Sequence, residues 1–277
     1  MEKIHFEPKT LDSELVKEGL CAVSSLSENS FSKDQYFVVG GTATQSYLPS
    51  EYRRATSDID LAILKPLGYA DFKIFSKTAV DYLQSKGYEV TLEKGQNTYH
   101  LIYHNKEDNS NFPDACVIEF ARRGTNYIKR NETRLEREFE NSRNKPILGR
   151  GLIYRVSSPE DIIIPKIVRE VGSLQRNPSF KGNLIKISNS SLENFEKYLK
   201  IIKALREEVT VHPGDPIASE KLRFFSDSLD VRMLYQVTGV NESYFNQVSE
   251  DWQKINEKSQ ERDTIFSYLL PQINLIN

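Results

Sequence analysis

The stretch YFVVGGTATQSYLPSEYRRATSDIDLAIL, residues 36–64, decides how the rest of the chain reads. Tyr36–Val39 is a short aromatic and β-branched run, and Gly40 and Gly41 end it, the pattern of a strand entering a turn. Residues 42–49 hold one or two helical turns closed by Pro49, and residues 59–64 form a second strand ended by Lys65 and Pro66. Asp58 and Asp60 stand at the start of that second strand. On an extended chain, side chains at i and i+2 point to one face. Two carboxylates about 7 Å apart along a strand repel unless something positive lies between them. Mg²⁺, or Mn²⁺ in its place, is the usual answer, because such ions take hard oxygen ligands. Two metals about 3.5–4 Å apart can clamp the attacking and leaving oxygens of a phosphoryl transfer.

The neighbours of the pair support a site over a solvated turn. Ile59, Leu61, Ala62, Ile63 and Leu64 are apolar, so the strand is expected to be largely buried, with its acids at the mouth of the core. Gly40, Gly41 and Thr42 end one strand and open a helix, a junction where backbone N–H groups can approach a phosphate and Thr42 adds a hydroxyl.

Outward from this stretch the first half mixes helices and strands. Residues 11–26 and 71–86 have helical apolar spacing, the second with Gly87 just past its end. Residues 88–94 and 99–105 read as a strand pair around Lys94 and Gly95, and 114–122 as another strand. From about residue 156 the chain turns helical. Ser158, Pro159, Glu160 and Asp161 form a helix-start signal, and Pro165 is expected to break that helix or begin another. Helical patterns recur at 166–175, 191–208, 217–237 and 242–269, separated by a polar loop at 176–190 and a breaker at 212–216. The expected fold class is α+β: a mixed sheet with helices over residues 1–155, then a mainly helical domain over 156–277.

Composition excludes several classes. With 27% charged and 38% hydrophobic residues and a net charge of −2, the 277 residues read as globular, with no global attraction to nucleic acid or membrane. No apolar run approaches a membrane span, and the N-terminus lacks the apolar core of a signal peptide. Cys21 and Cys116 form neither a disulfide framework nor a metal motif, so a cytoplasmic location is expected. His100 and His104 fall in a strand-like run where i and i+4 lie far apart, so no zinc site is expected there. One local exception to the charge balance is residues 121–155, with ten Lys or Arg, four Glu and a local net charge of +6. Tyr127 and Tyr154 lie among them, so this segment is a candidate RNA-contacting surface.

Taken together, GGTAT (40–44) and RATSDIDLAI (54–63) resemble the signature of the DNA polymerase β-like nucleotidyltransferase superfamily. More narrowly, they are similar to the AbiEii-type toxin nucleotidyltransferases of abortive-infection and type IV toxin–antitoxin systems. The matching positions are Gly40, Gly41, Arg54, Thr56, Asp58 and Asp60. The resemblance implies phosphate contacts from the Gly turn and metal ligation by both Asp. It also implies a third carboxylate on a later strand, which CVIEF (116–120) offers as Glu119, with Asp114 as the alternative. SPEDIIIPKIVRE (158–170) matches a further element and places a triphosphate-holding Lys at Lys166, although Pro165 before it departs from the pattern. SDSLDVRML (226–234) resembles a last element, with its acids at Asp227 and Asp230 and Ser226 where a basic residue is usual. The implied activity is transfer of an NMP from an NTP to a hydroxyl, with release of pyrophosphate. The implied acceptor is RNA, a tRNA 3′ end foremost, and the implied partner a cognate antitoxin. A small-molecule acceptor such as an aminoglycoside, or a non-catalytic nucleotide-binding module, are the competing expectations.

Overall fold

The computed structural model describes residues 7–108, 113–180, 195–212 and 214–255. Its contacts divide the chain into two units, Met1–Ser158 and Pro159–Asn277.

The first unit is built on one seven-stranded sheet. In chain order its elements are α1 (Glu14–Ser25), β1 (Tyr36–Val39), α2 (Gly40–Gln45), β2 (Asp58–Ile63), α3 (Tyr69–Phe75), α4 (Lys77–Ser85), β3 (Tyr88–Lys94), β4 (Thr98–Asn105), β5 (Ala115–Ala121), α5 (Thr125–Glu140), β6 (Arg143–Pro146) and β7 (Ile153–Val156). The strand order is β3-β4-β5-β2-β1-β7-β6. Pairing is antiparallel except for β1 with β7 and β2 with β5, which run parallel. The fold is therefore α+β with a mixed sheet, as the sequence pattern implies.

Strand alternation gives the sheet two unlike faces. Tyr36, Leu61, Phe120, Tyr99 and Tyr103 lie on one, which α1, α3 and α4 cover. Phe72 of α3 is fully buried there, its ring 5.0 Å from those of Tyr99 and Phe120. Tyrosine hydroxyls pin α1 to the same face: Tyr36 donates to the Val23 carbonyl at 2.8 Å and Tyr103 to the Leu15 carbonyl at 2.7 Å. The opposite face carries Asp58, Asp60 and Glu119. It is covered in part by α5, whose Phe139 meets Phe37 of β1 at a ring separation of 6.4 Å.

The 71–86 pattern resolves into two helices rather than one. They meet at Ser76, whose hydroxyl donates back to the Phe72 carbonyl at 2.8 Å. A hydroxyl that bonds the backbone in this way competes with helix continuation.

The described elements of the second unit are all helical: α6 (Pro159–Arg176), a 3₁₀ turn at Pro178–Phe180, α7 (Phe195–Val211), α8 (Pro216–Met233), a π turn at Leu234–Thr238, and α9 (Glu242–Ile255). Pro165 corrects one expectation, because α6 passes through it without a break. Proline removes one helical N–H, but buried Ile162, Ile163, Ile164 and Ile167 on either side outweigh that single bond. Asp215 caps α8, accepting from the backbone N–H groups of Ile217 and Ala218. The helical expectations over 191–194 and 256–269 lie outside the described residues, as does most of the 176–190 loop.

Because Phe72 joins two rings on an otherwise dry face, Phe72→Ala is expected to cost about 3–5 kcal/mol. Urea denaturation checks this, and a loss below about 1 kcal/mol would show that the aromatic layer is not the core of the first unit.

Candidate active site

The site is set by register. β2 and β5 run parallel with Asp60 opposite Glu119 and Asp58 opposite Val117. Opposed residues share a face, and so do residues two apart, so the pairing brings Asp58, Asp60 and Glu119 together. One ligand oxygen from each lies within 4.8 Å of the others, and all three side chains are half-buried. Burial, and next the Asp58 charge, push the Glu119 carboxyl above its ordinary range, while His100 draws it back.

The donor set fits a hard divalent cation. An octahedral Mg²⁺ holds its oxygens roughly 3–4 Å apart, closer than the 4.8 Å within which these three lie. A cation among them would also remove the mutual repulsion that burial magnifies.

The Gly turn is shaped around these acids. Gly40 has φ +69°, and a Cβ there would lie 2.0 Å from Asp60 Oδ2. Glycine is therefore required twice, once by the backbone and once by the carboxylate. A Cβ at Gly41 would lie 2.8 Å from Thr56 Cγ2 and 3.5 Å from the Arg54 guanidinium. Thr42 acts as a clasp between the turn and the metal strand. It is fully buried, its hydroxyl donates to the Asp58 carbonyl at 2.7 Å, and its Oγ1 lies 3.3 Å from Thr56 Oγ1. Thr56 is itself anchored by two backbone bonds to Lys9, at 2.8 and 2.9 Å. Arg54 is buried, its N–H donating to Gln45 Oε1 at 2.7 Å and its guanidinium to the Ala55 carbonyl at 3.1 Å. Gly40, Gly41, Thr42, Arg54 and Thr56 thus form one braced junction beside the carboxylates.

Asp114, the alternative third acid, is placed differently. It precedes β5, stays half-exposed and pairs with the Lys9 ammonium.

Lys166, Asp227 and Asp230 form a second cluster, within the helical unit. The Lys166 ammonium lies 2.7 Å from Asp227 Oδ1 and 2.8 Å from Asp230 Oδ2, and Arg169 grips Asp227 through two bonds at 2.9 and 3.0 Å. Burial alone would raise the Asp227 carboxyl, but Lys166 and Arg169 hold it down at about 2. Two of the three ammonium donors of Lys166 are committed to these acids. Glu170, fully enclosed one turn along, is pushed well above its usual range by burial and then by the Asp227 charge.

Sequence reasoning passed over three of these participants. Arg169 and Glu170 sit three and four residues after Lys166 on one helix face, a spacing that could have found them. His100 lies opposite Glu119 only through the register of β4 on β5, which no local pattern encodes.

No family model and no curated protein matches the chain. Among solved structures, it is similar to an antigenic nucleotidyltransferase-like protein from Paracoccidioides brasiliensis, with 16% identity over 95% of this chain and 91% of that one and a TM-score of 0.45. It is also similar to a candidate nucleotidyltransferase from H. pylori, with 18% identity over 88% of this chain and 98% of that one and a TM-score of 0.33. At these values neither neighbour fixes an activity for this chain.

Two outcomes follow from the geometry. Gly40→Ala forces a left-handed residue with a Cβ, at a cost of about 1–2 kcal/mol, and drives the Asp60 carboxylate aside. A lower melting temperature is expected, and an unchanged one would refute the packing of Gly40 on Asp60. Glu119→Gln should act with a pH-dependent sign. The folded-state pKa is raised, so the contribution of Glu119 to stability is complete below the ordinary value of 4.5 and is lost as pH rises through the folded value. In EDTA at pH 7 the Gln variant is therefore expected to melt above wild type, with the difference vanishing near pH 4. Melting curves across that range decide it, and a variant less stable at pH 7 would contradict the raised pKa.

Proposed function

We propose that the chain is a Mg²⁺- or Mn²⁺-dependent nucleotidyltransferase that moves an NMP from an NTP to a hydroxyl, with RNA, a tRNA 3′ end foremost, as the acceptor. The convergence of Asp58, Asp60 and Glu119 beside a Gly-Gly turn is the observation that carries this reading. In the transfer, the acceptor oxygen bonds to the α-phosphorus, the bond from that phosphorus to the bridging oxygen breaks, and pyrophosphate leaves while the hydroxyl proton passes to solvent. When bound, the divalent cation supplies positive charge that offsets the charge developing on the phosphoryl oxygens.

The chain's own residues supply placement. Asp58, Asp60 and Glu119 would hold the cation. Thr42 fixes the backbone of Asp58, and the absent side chain at Gly40 keeps Asp60 in position. Arg54 and Thr56 brace the turn whose backbone would face the triphosphate. On the same reading Lys166 would hold the triphosphate and Asp230 would contact the nucleotide; within the helical unit the two are joined at 2.8 Å.

The basic segment favours a polymeric acceptor over a small one. Arg122, Lys129, Arg130 and Arg143 remain exposed, as does Tyr127, whereas Arg134 pairs with Glu138, and Arg150 with Glu14 and Glu18. Exposed cations beside an aromatic ring suit a phosphate backbone with unstacked bases. The resemblance to the AbiEii-type family extends the proposal to a toxin-like or abortive-infection role restrained by a cognate antitoxin.

The test is incubation of the protein with each α-labelled NTP and Mg²⁺ or Mn²⁺, against total RNA, protein extract and aminoglycosides in parallel. Label is expected in RNA, with pyrophosphate released. Loss of a metal's outer-shell partner costs about 10–100-fold, so Asp58→Asn and Asp60→Asn should each cost at least about 100-fold. Full activity in either variant would sink the metal assignment. Label on an aminoglycoside would replace the acceptor, and nucleotide binding without turnover in every pool would make the chain a binding module.

A further inference from the structure

β4 flanks β5 on the side away from β2, and its register sets His100 opposite Glu119. The imidazole therefore stands on the carboxylate face, one strand beyond the third acid. Its Nε2 lies 3.6 Å from Glu119 Oε1 and 2.6 Å from Thr98 Oγ1. The ring is seated by the β3–β4 hairpin. A Cβ on Gly95 would lie 2.9 Å from His100 Cε1, 3.0 Å from Nε2 and 3.1 Å from Thr98 Oγ1, so the turn residue leaves room for the ring and its hydroxyl partner. The turn is closed by the Gly95 N–H, which donates to the Thr98 carbonyl at 2.9 Å.

We propose that His100 is a positioning residue for Glu119, seated by Thr98 and Gly95, and that it keeps the third carboxylate turned toward Asp58 and Asp60 so that all three can take one divalent cation. The inference rests on the metal-site reading above. Its physical basis is charge repulsion met by a steric stop. Asp58 repels the Glu119 carboxylate, and a half-buried Glu side chain with several rotamers relieves that repulsion by swinging away. The imidazole, seated on the other side of the acid with its Nε2 3.6 Å from Oε1, fills the space into which the carboxylate would swing. Arranging ligands through such outer partners is how protein metal sites reach their affinity.

The experiment is a Mn²⁺ titration of the full chain, read by calorimetry and by metal-induced thermal shift. It compares wild type, His100→Ala, His100→Gln, Thr98→Val and Asp60→Asn. His100→Ala is expected to weaken Mn²⁺ binding by about 10–100-fold while melting in EDTA close to wild type. His100→Gln, whose amide can stand near the place of Nε2, is expected to recover most of the loss. Wild-type Mn²⁺ affinity in His100→Ala, with binding lost in Asp60→Asn, overturns the role of His100 and leaves the metal site standing. Absence of Mn²⁺ binding in wild type overturns both. Should His100→Ala fold poorly, Thr98→Val decides: a weakened affinity supports the seat, and an unchanged one overturns it.

Discussion

The parallel pairing of β2 with β5 is the constraint on which the first unit depends. It sets Glu119 opposite Asp60 in a chain where the two are far apart in sequence, and the alternation of β2 adds Asp58 to the same face. Three acids gathered on one face of a sheet oppose folding, more so when half-buried. The other face supplies the compensation. Phe72, Phe75, Tyr99 and Phe120 form a continuous aromatic layer with no measurable exposure of Phe72, Phe75 or Phe120. A sheet whose two faces differ this much cannot slip by one residue, because a slip would place the carboxylates in the aromatic layer.

The Gly-Gly turn then depends on the carboxylates, and they on it. Gly40 is pressed against the Asp60 oxygen and Thr42 against the Asp58 carbonyl. The short helix α2, one turn and a half, would be marginal alone. It persists because Thr42, Thr44 and Gln45 are enclosed, Thr42 and Gln45 bonding to the strap that leads into β2 and Thr44 back to the Gly40 carbonyl. The turn and the strap are thus one object.

Much of this was legible in sequence where the determinant is local. The Asp58–Asp60 spacing, the Gly turn and the strand apolarity are read within a window of thirty residues, and alternation or periodicity places each on its face. Glu119 was readable only as an acid in an apolar strand. Its choice over Asp114 needs the register of β5 on β2, a long-range property. The place of His100 beside Glu119 was hidden for the same reason, since it depends on the register of a further strand. The break expected at Pro165 failed for a different reason: a local rule was overruled by burial on both sides. Ser76 shows the converse, a local hydroxyl dividing a helix whose apolar spacing is continuous.

The two acidic clusters balance their charge differently. In the helical unit, Lys166 and Arg169 match Asp227 and Asp230 charge for charge, and Asp227 is held down at about 2 despite its burial. That cluster carries its countercharge within itself. Glu170 beside it is raised by burial and then by the Asp227 charge. Glu119 is raised as well, yet its side chain keeps about 29% of its exposure, so it faces solvent from which an ion can come. The sign of the shift together with the exposure, rather than the count of acids, separates the two clusters.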